Sequence, residues 1–243
     1  KKDLGIEVQT FESKTDADYE TNLAQAKTQD CDLTVTVGFL LGDATKAAAE
    51  ADPDRHFAIV DYAYADEDGK PAPIDNVKEL TFSTDQAAFL AGYLAAGVTK
   101  SGKVATYGGI QIPTVTIFMD GFLAGVKQYN EDNGKNVEVL GWDGSNGQFV
   151  GNFEDSDKGK SITQTFLDDG ADIVMPVAGP VGAGTIAAVK DAGGDASIIW
   201  VDTDGCVSVA DSCQYFLTSV QKKMDTAVYD TIKATEEGSF DNT

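Results

Sequence analysis

Alternation is the feature that most limits how this chain can fold. Short runs rich in Val, Ile, Leu and Thr recur between stretches of helical pattern: IEVQTF, LTVTVG, HFAIVD, VKELTF, KVATYGG, VEVLGWDG, IVMPVAG, SIIWVDTD and YFLTSV. Near-continuous apolar runs read as strands buried on both faces, and strands separated by helices pair in parallel, so the pattern predicts parallel sheets flanked by helices. The connecting helices are expected over residues 18–29, 42–51, 84–99, 114–133, 159–169, 182–192 and 224–237. Ser83 or Thr84 precedes an apolar helix with Asp85 and Gln86 in its first turn, as an N-cap prefers. Pro113 and Pro180 stand where a first helical turn has no partner for its N–H groups anyway.

These strands are too many for one small sheet, and 243 residues give two lobes room for a core each. Lobe 1 is expected over 1–102 plus 221–243 and lobe 2 over 103–220, both doubly wound α/β. The closing helix returns to lobe 1, so the chain crosses between lobes twice, which makes a hinge. No internal sequence repeat or Pro-rich linker separates the groups. The opening KKDLG reads as a helix end at Lys1 and Lys2 stopped by Gly5, and TEEGSFDNT halts after a capping glycine, so both ends read as those of an excerpt.

Lys plus Arg total 18 against 40 Asp plus Glu, a formal net charge of −22, and Arg55 is the sole arginine. Nucleic-acid affinity rests on basic side chains neutralising phosphates, so a nucleic-acid partner is excluded. No run approaches the roughly 18 apolar residues a membrane span needs; the longest small-apolar stretch, 87–98, is a buried-helix length. Catalysis has little to stand on. His56 is the sole histidine and opens a strand, and there is no GxSxG, HExxH or CxxC signature, so neither a catalytic residue nor a cofactor is assigned. A lone DxD at Asp202 and Asp204 is weak evidence for a hard metal in so acidic a chain, and no metal site is assigned. Cys31 reads as a small buried hydrophobe. Cys206 and Cys213 bracket CVSVADSC, which fits no zinc pattern; the loop is closed by a disulfide or carries two free thiols, and the first would place the protein outside the cytoplasm.

The glycine-rich stretch VMPVAGPVGAGTIAAVK has the glycine spacing of a Walker loop at Gly179 and Gly184, but Thr185 stands where the lysine should be. The dinucleotide fingerprint GxGxxG does not fit either. What remains is a strand that delivers its carboxyl end to a helix whose free N–H groups face a crevice. In open α/β sheets ligands sit beyond the carboxyl ends of strands. This selects Gly38 and Phe39, Asp61, Gly108 and Gly109, Trp142 and Asp143, Gly179, and the pair Asp202 and Asp204. Asp61 and Asp202 lead, because a carboxylate there accepts hydrogen bonds from sugar hydroxyls or ring N–H groups.

Taken together, KVATYGGIQIPTVTIFMDGFLAGVKQYN, VLGWDG, DIVMPVAGPVGAG, IIWVDTD and FLTSVQKKMD resemble the basic membrane protein (BMP) family of ABC-transporter substrate-binding proteins, of the purine-nucleoside-binding lipoprotein type. The resemblance covers essentially the whole chain. It implies a type I periplasmic-binding fold whose two α/β lobes close on a small ligand, usually a nucleoside, by hinge motion. It also implies delivery to an ABC permease in the membrane, a lipid anchor outside this chain, an extracytoplasmic location and a monomer. By motif it carries over Asp61, Gly179, the acids Asp202 and Asp204, and Lys222, the acids and the lysine meeting ribose hydroxyls or base edges. For Lys222 an exposed lysine beginning a helix is the alternative. Phe39, Phe118, Asp120 and Trp142 complete the set, although Phe118 and Trp142 suit a core equally well. Two departures stand out: the opening strand and DxSFN-type loop of similar members is absent, which leaves lobe 1 without its first strand, and Pro180 and Val181 follow Gly179. A sensory ligand-binding domain is the runner-up. An enzyme using Asp202 or Asp204 as general base, and a sugar-responsive repressor without a visible helix-turn-helix, trail behind.

Overall fold

Elements follow the apolar runs closely in the computed structural model, which describes residues 4–243. Lys1 and Lys2, the expected helix end, lie outside the described residues, while Gly5 has the positive φ of +69° that a glycine stop requires. The order begins α1 (Ala17–Thr28), β1 (Leu33–Val37), α2 (Gly42–Glu50), β2 (His56–Val60), β3 (Val77–Leu80), α3 (Thr84–Val98), β4 (Lys103–Gly108) and α4 (Pro113–Asn133). It continues β5 (Glu138–Leu140), α5 (Ser156–Asp168), β6 (Ile173–Val177), α6 (Gly182–Asp191), β7 (Ser197–Asp202), α7 (Gly205–Ser208), β8 (Phe216–Gln221) and α8 (Met224–Glu236). Pro113 is the first residue of α4, and Ser83 occupies the N-cap position of α3 without its side chain making the capping bond.

The chain forms two compact units, one from the residues up to Phe82 together with Lys223–Thr243, the other from Ser83–Lys222. In the first unit β1, β2 and β3 pair in parallel in that order, with Val37 opposite Val60 and Val60 opposite Leu80. Alternation decides what each face meets. Phe57 and Ile59 pack with Leu23 of α1 and Ala49 of α2, whereas Ala58, Val60 and Leu80 turn to Met224, Ala227 and Val228 of α8. One expected strand is missing: residues 6–11, IEVQTF, form none, and Val8 is half exposed. A strand needs a ladder partner for its N–H and C=O groups, and none of the described strands pairs with this run.

In the second unit the order is β5-β4-β6-β7-β8, all parallel. Val104, Ile173, Met175 and Ile199 face Phe118, Met119 and Phe122 of α4 and the alanines of α3. Ala105, Tyr107 and Val174 face Phe166 of α5, and Ile198 faces Ile186 and Val189 of α6. The sequence places α3 in lobe 1, with a boundary at 102; the structure packs it in the second unit. The reason is a close helix pair. At Gly121 and Gly125 a Cβ would land on the carbonyl oxygens of Asp85 and Phe89, so α4 lies against the bare backbone of α3.

Candidate functional site

The two leading carboxylates share an unusual backbone. Asp61, one residue past β2, and Asp202, the last residue of β7, have φ of +67° and +68°, a region L-residues with a Cβ visit at a cost of about 1 kcal/mol. Each sits at the carboxyl end of a parallel strand, where the chain turns away and the side chain is freed from the two packed faces. The Asp61 N–H donates to the Leu80 carbonyl at 3.0 Å, and the Asp202 carbonyl accepts from the Lys222 N–H at 2.9 Å.

Around Asp202 the second unit gathers three of the expected residues. The Lys222 Nζ lies 2.9 Å from Asp202 Oδ1 and 5.0 Å from the centroid of the Phe118 ring. Only 6 % of the Lys222 side chain is exposed, against 35 % for Asp202. Lys222 is therefore not the exposed lysine of the bland alternative. Its ammonium is enclosed between a carboxylate and an aromatic face, and the carboxylate is the partner that opens to solvent. Phe118 is 1 % exposed and gives its face to that ammonium, so it is a core residue that supports the pair.

The remaining residues divide by what their side chains already do. Asp204 Oδ1 accepts from the Cys206 N–H at 2.9 Å and so caps α7. Trp142 is buried in the core of the second unit and donates its indole N–H to Asp120 Oδ1 at 2.8 Å, its ring edge-on to Phe149. Asp143 closes a turn by accepting from the Ser145 and Asn146 N–H groups, and those bonds hold its carboxyl below the usual range. In the first unit Phe39 opens a 3-10 turn, Phe39–Leu41, after Gly38, and its ring lies 4.9 Å from that of Tyr62. Gly108 and Gly109 do not face an open crevice: a Cβ there would meet the rings of Phe149 and Phe153, which cover them.

The glycine stretch now has a physical account. Gly182 makes room for the ring of Trp200, and Gly184 lets the backbone of α6 approach Ser156 at the start of α5. Thr185, at the place of a Walker lysine, is fully buried and shares its hydroxyl with Tyr107 and Thr163 at 2.9 Å each. Burial raises the Tyr107 pKa, so its phenol stays protonated within this network. Gly179 keeps the open character expected of a ligand-facing glycine, with φ of +53° and nothing within 4 Å of where a Cβ would stand, and Gly38 in the first unit, at φ +112°, is open in the same way. Sequence reasoning missed Tyr62 and Ser219. Ser219, whose Oγ accepts the Gly205 N–H at 3.0 Å, carries no signal that distinguishes it from a solvated strand serine.

A hollow of about 260 Å³ in the first unit is lined by Leu23 and alanines of α1 and α2 together with the charged Glu20, Lys27, Asp52 and Arg55. It lies by Thr34 and Arg55, at the beginning of strands and away from the strand ends that carry Asp61 and Phe39. The bond between Cys206 and Cys213 is formed, with S–S 2.05 Å. No helix among the described residues is long and apolar enough to cross a membrane.

Comparison with known proteins agrees with this arrangement of parallel sheets and helices. The chain is 34 % identical over 242 residues to the "ABC transporter nucleoside-binding protein BmpA" of Lactococcus lactis subsp. cremoris, covering 95 % of this chain and 64 % of that protein. It is 32 % identical over 228 residues to "Basic membrane protein A" of Borreliella burgdorferi, covering 94 % and 62 %. Among solved structures it is similar to an ABC transporter solute-binding protein from Aeropyrum pernix K1, with TM-score 0.83, 28 % identity and coverage of 99 % of this chain and 64 % of that one. The chain thus spans somewhat less than two thirds of the length of these relatives, and its fold is of the type I periplasmic-binding class. A family model described as "ABC transporter substrate-binding protein PnrA-like" matches residues 1–243, so the chain belongs to the Bmp family of ABC-transporter substrate-binding proteins.

Proposed function

We propose that this protein captures a nucleoside outside the cytoplasm and presents it to an ABC permease, without making or breaking a bond. The observation that carries the reading is the enclosed Lys222 ammonium paired to a partly open Asp202 carboxylate at a strand end. A carboxylate fixed in this way accepts two hydroxyl donors at once, as the vicinal hydroxyls of a ribose would offer. Lys222 holds it in place through the 2.9 Å ion pair. Gly179, with no side chain, leaves its backbone open to a planar ring. In the first unit Asp61 and Phe39 supply a second carboxylate and an aromatic face, and we propose that the two units close on the ligand as a hinge.

The printed name of the Lactococcus relative supports a nucleoside. Membership of a substrate-binding family supports binding over turnover. The Cys206–Cys213 bond supports an oxidising compartment, as an exported, lipid-anchored monomer would meet. Calorimetric titration with adenosine, guanosine, inosine, uridine and cytidine, alongside free ribose and amino acids, tests the reading. Saturable heat with at least one nucleoside, lost in Asp202→Ala, is expected. Silence with every nucleoside while ribose or an amino acid binds would overturn it. Small-angle scattering with and without the bound nucleoside tests the closure, which predicts a smaller radius of gyration in the complex.

A further inference from the structure

We propose that the Cys206–Cys213 disulfide is a redox-sensitive brace for the Asp202–Lys222 pair, so that the ligand site is assembled less of the time in the reduced protein than in the oxidised one. For its ligand the inference rests on the nucleoside reading above; its structural part stands apart from it.

Residues 203–215 carry the chain from the carboxyl end of β7, which bears Asp202, to the start of β8, which runs on to Lys222. This return is thinly held. The Thr203 N–H folds back on the Val201 carbonyl at 2.8 Å, and Asp204 then caps α7, which has four residues. A single helical turn has too few internal bonds to persist by itself. One hydrogen bond, from the Gly205 N–H to Ser219 Oγ, ties α7 to β8, while the Thr203 hydroxyl on Ser208 Oγ at 2.9 Å only closes the segment on itself. Apolar packing is confined to Gly205, set against Trp200 and Phe216, and to the half-buried Val209 beside Ile186 and Ile198, while Val207 is 78 % exposed. Cys206 lies inside α7, two residues from its cap, and the bridge fastens it to Cys213 in the 3-10 segment Ala210–Tyr215. That segment is in turn seated by Ser212, whose Oγ accepts from Lys190 Nζ at 3.2 Å. The disulfide is the covalent link between the seated half of the loop and the half that leads to Asp202.

Both cysteines are exposed, so a small dithiol reaches them. One of its thiolates attacks a bridge sulfur, the S–S bond breaks and a mixed disulfide forms. The second thiol then displaces the remaining cysteine, leaving two protein thiols and a cyclic disulfide of the reductant, with two electrons and two protons transferred. Once open, the loop loses its hold on α7, the Asp204 cap frays, and the turn that sets the positive φ of Asp202 is free to relax. Apparent affinity falls by the fraction of time the site is assembled, so a site formed one fifth of the time binds about fivefold more weakly.

The experiment compares the oxidised protein, the same protein in dithiothreitol, and the double variant Cys206→Ser, Cys213→Ser. Each is read by amide hydrogen exchange and by calorimetric titration with the nucleoside that binds best. Expected are faster exchange at Gly205, Cys206 and Lys222 in the reduced and variant forms, unchanged protection in β4 and β6, and affinity about fivefold weaker, restored on reoxidation. Equal exchange in all three forms would overturn the brace, as would equal affinity despite faster loop exchange. Loss of protection in β4 and β6 as well would replace a local brace by a general stabilising bond and equally overturns it. If no form binds any nucleoside, the proposed function fails while the brace is still decided, by the exchange at Gly205, Cys206 and Lys222.

Discussion

Residues 33–61 and 173–202 take the same path through different chemistry. Each runs strand, 3-10 turn, helix, strand, and ends on an aspartate with φ near +67°. Each helix begins on a glycine that leaves space for an aromatic ring, Gly42 for Tyr62 and Gly182 for Trp200. Each contains a fully buried threonine, Thr45 bonded to Thr36 and Thr185 bonded to Tyr107 and Thr163. The difference comes two residues past the next registered strand pair. Val60 faces Leu80 and Val201 faces Val220, so Phe82 stands in the first region where Lys222 stands in the second. One position thus joins the apolar packing around Val60 and Leu80, while its counterpart forms an enclosed ion pair. A shared backbone sets where polar groups can be displayed; one side chain decides which strand end carries an enclosed ion pair.

Removing that side chain breaks the comparison most sharply. Lys222→Met leaves Asp202 without its cation, and nucleoside affinity is expected to fall by about 100-fold, roughly 3 kcal/mol. Chemical denaturation should show a loss of about 1–3 kcal/mol, below the value for a fully buried pair because a third of Asp202 is open to solvent. Adding Asp202→Asn to Lys222→Met should recover much of the stability and none of the binding. Unchanged affinity in Lys222→Met would mean that the pair is structural only.

The paired glycines come next. Gly42→Ala and Gly182→Ala each press a methyl group onto a ring, and each should cost about 1–3 kcal/mol in thermal or denaturant unfolding. Gly42→Ala should cost more, since its Cβ would overlap Tyr62 more deeply than that of Gly182 overlaps Trp200. A smaller third effect tests the strand-end backbone. At both Asp61 and Asp202 the glycine variant should be more stable than the alanine variant by about 1 kcal/mol, because only the latter keeps a Cβ at positive φ. Equal stabilities within either pair would mean that the turn relaxes.

The smallest effect is a pH dependence. Asp172 precedes β6 as Asp32 precedes β1. Burial pushes the Asp172 carboxyl up, but bonds from the Thr99 hydroxyl and the Lys100 and Ser101 N–H groups outweigh it and hold its pKa below 3.8. A carboxyl depressed by folding stabilises the native state above its unfolded pKa, and that contribution is lost as pH falls through the lower folded value. Unfolding of the second unit, followed by denaturant between about pH 5 and 2, should therefore lose stability on acidification more steeply in the natural protein than in Asp172→Asn. Parallel curves would remove Asp172 from the account.

Much of this molecule was legible in its residues. Apolar alternation located every described strand and all but the shortest helices, because burial on two faces writes itself directly into a parallel strand. It also marked Asp61, Gly179 and Asp202 as strand-end positions, since a strand end is a local property. IEVQTF shows the limit: strand-forming residues do not make a strand where no neighbour supplies a ladder. The place of α3 shows another, since the meeting of Gly121 and Gly125 with Asp85 and Phe89 joins residues on different helices. Likewise Phe118 and Trp142 read equally as ligand walls or core until their neighbours were known. Sequence by itself determined the periodic features, namely fold class, element order and the positions of the strand ends. Tertiary structure alone decided that Lys222 is enclosed, that Asp204 is a cap and that Gly108 and Gly109 are covered. Burial and pairing depend on which distant residues arrive at the same place, and no local pattern encodes that.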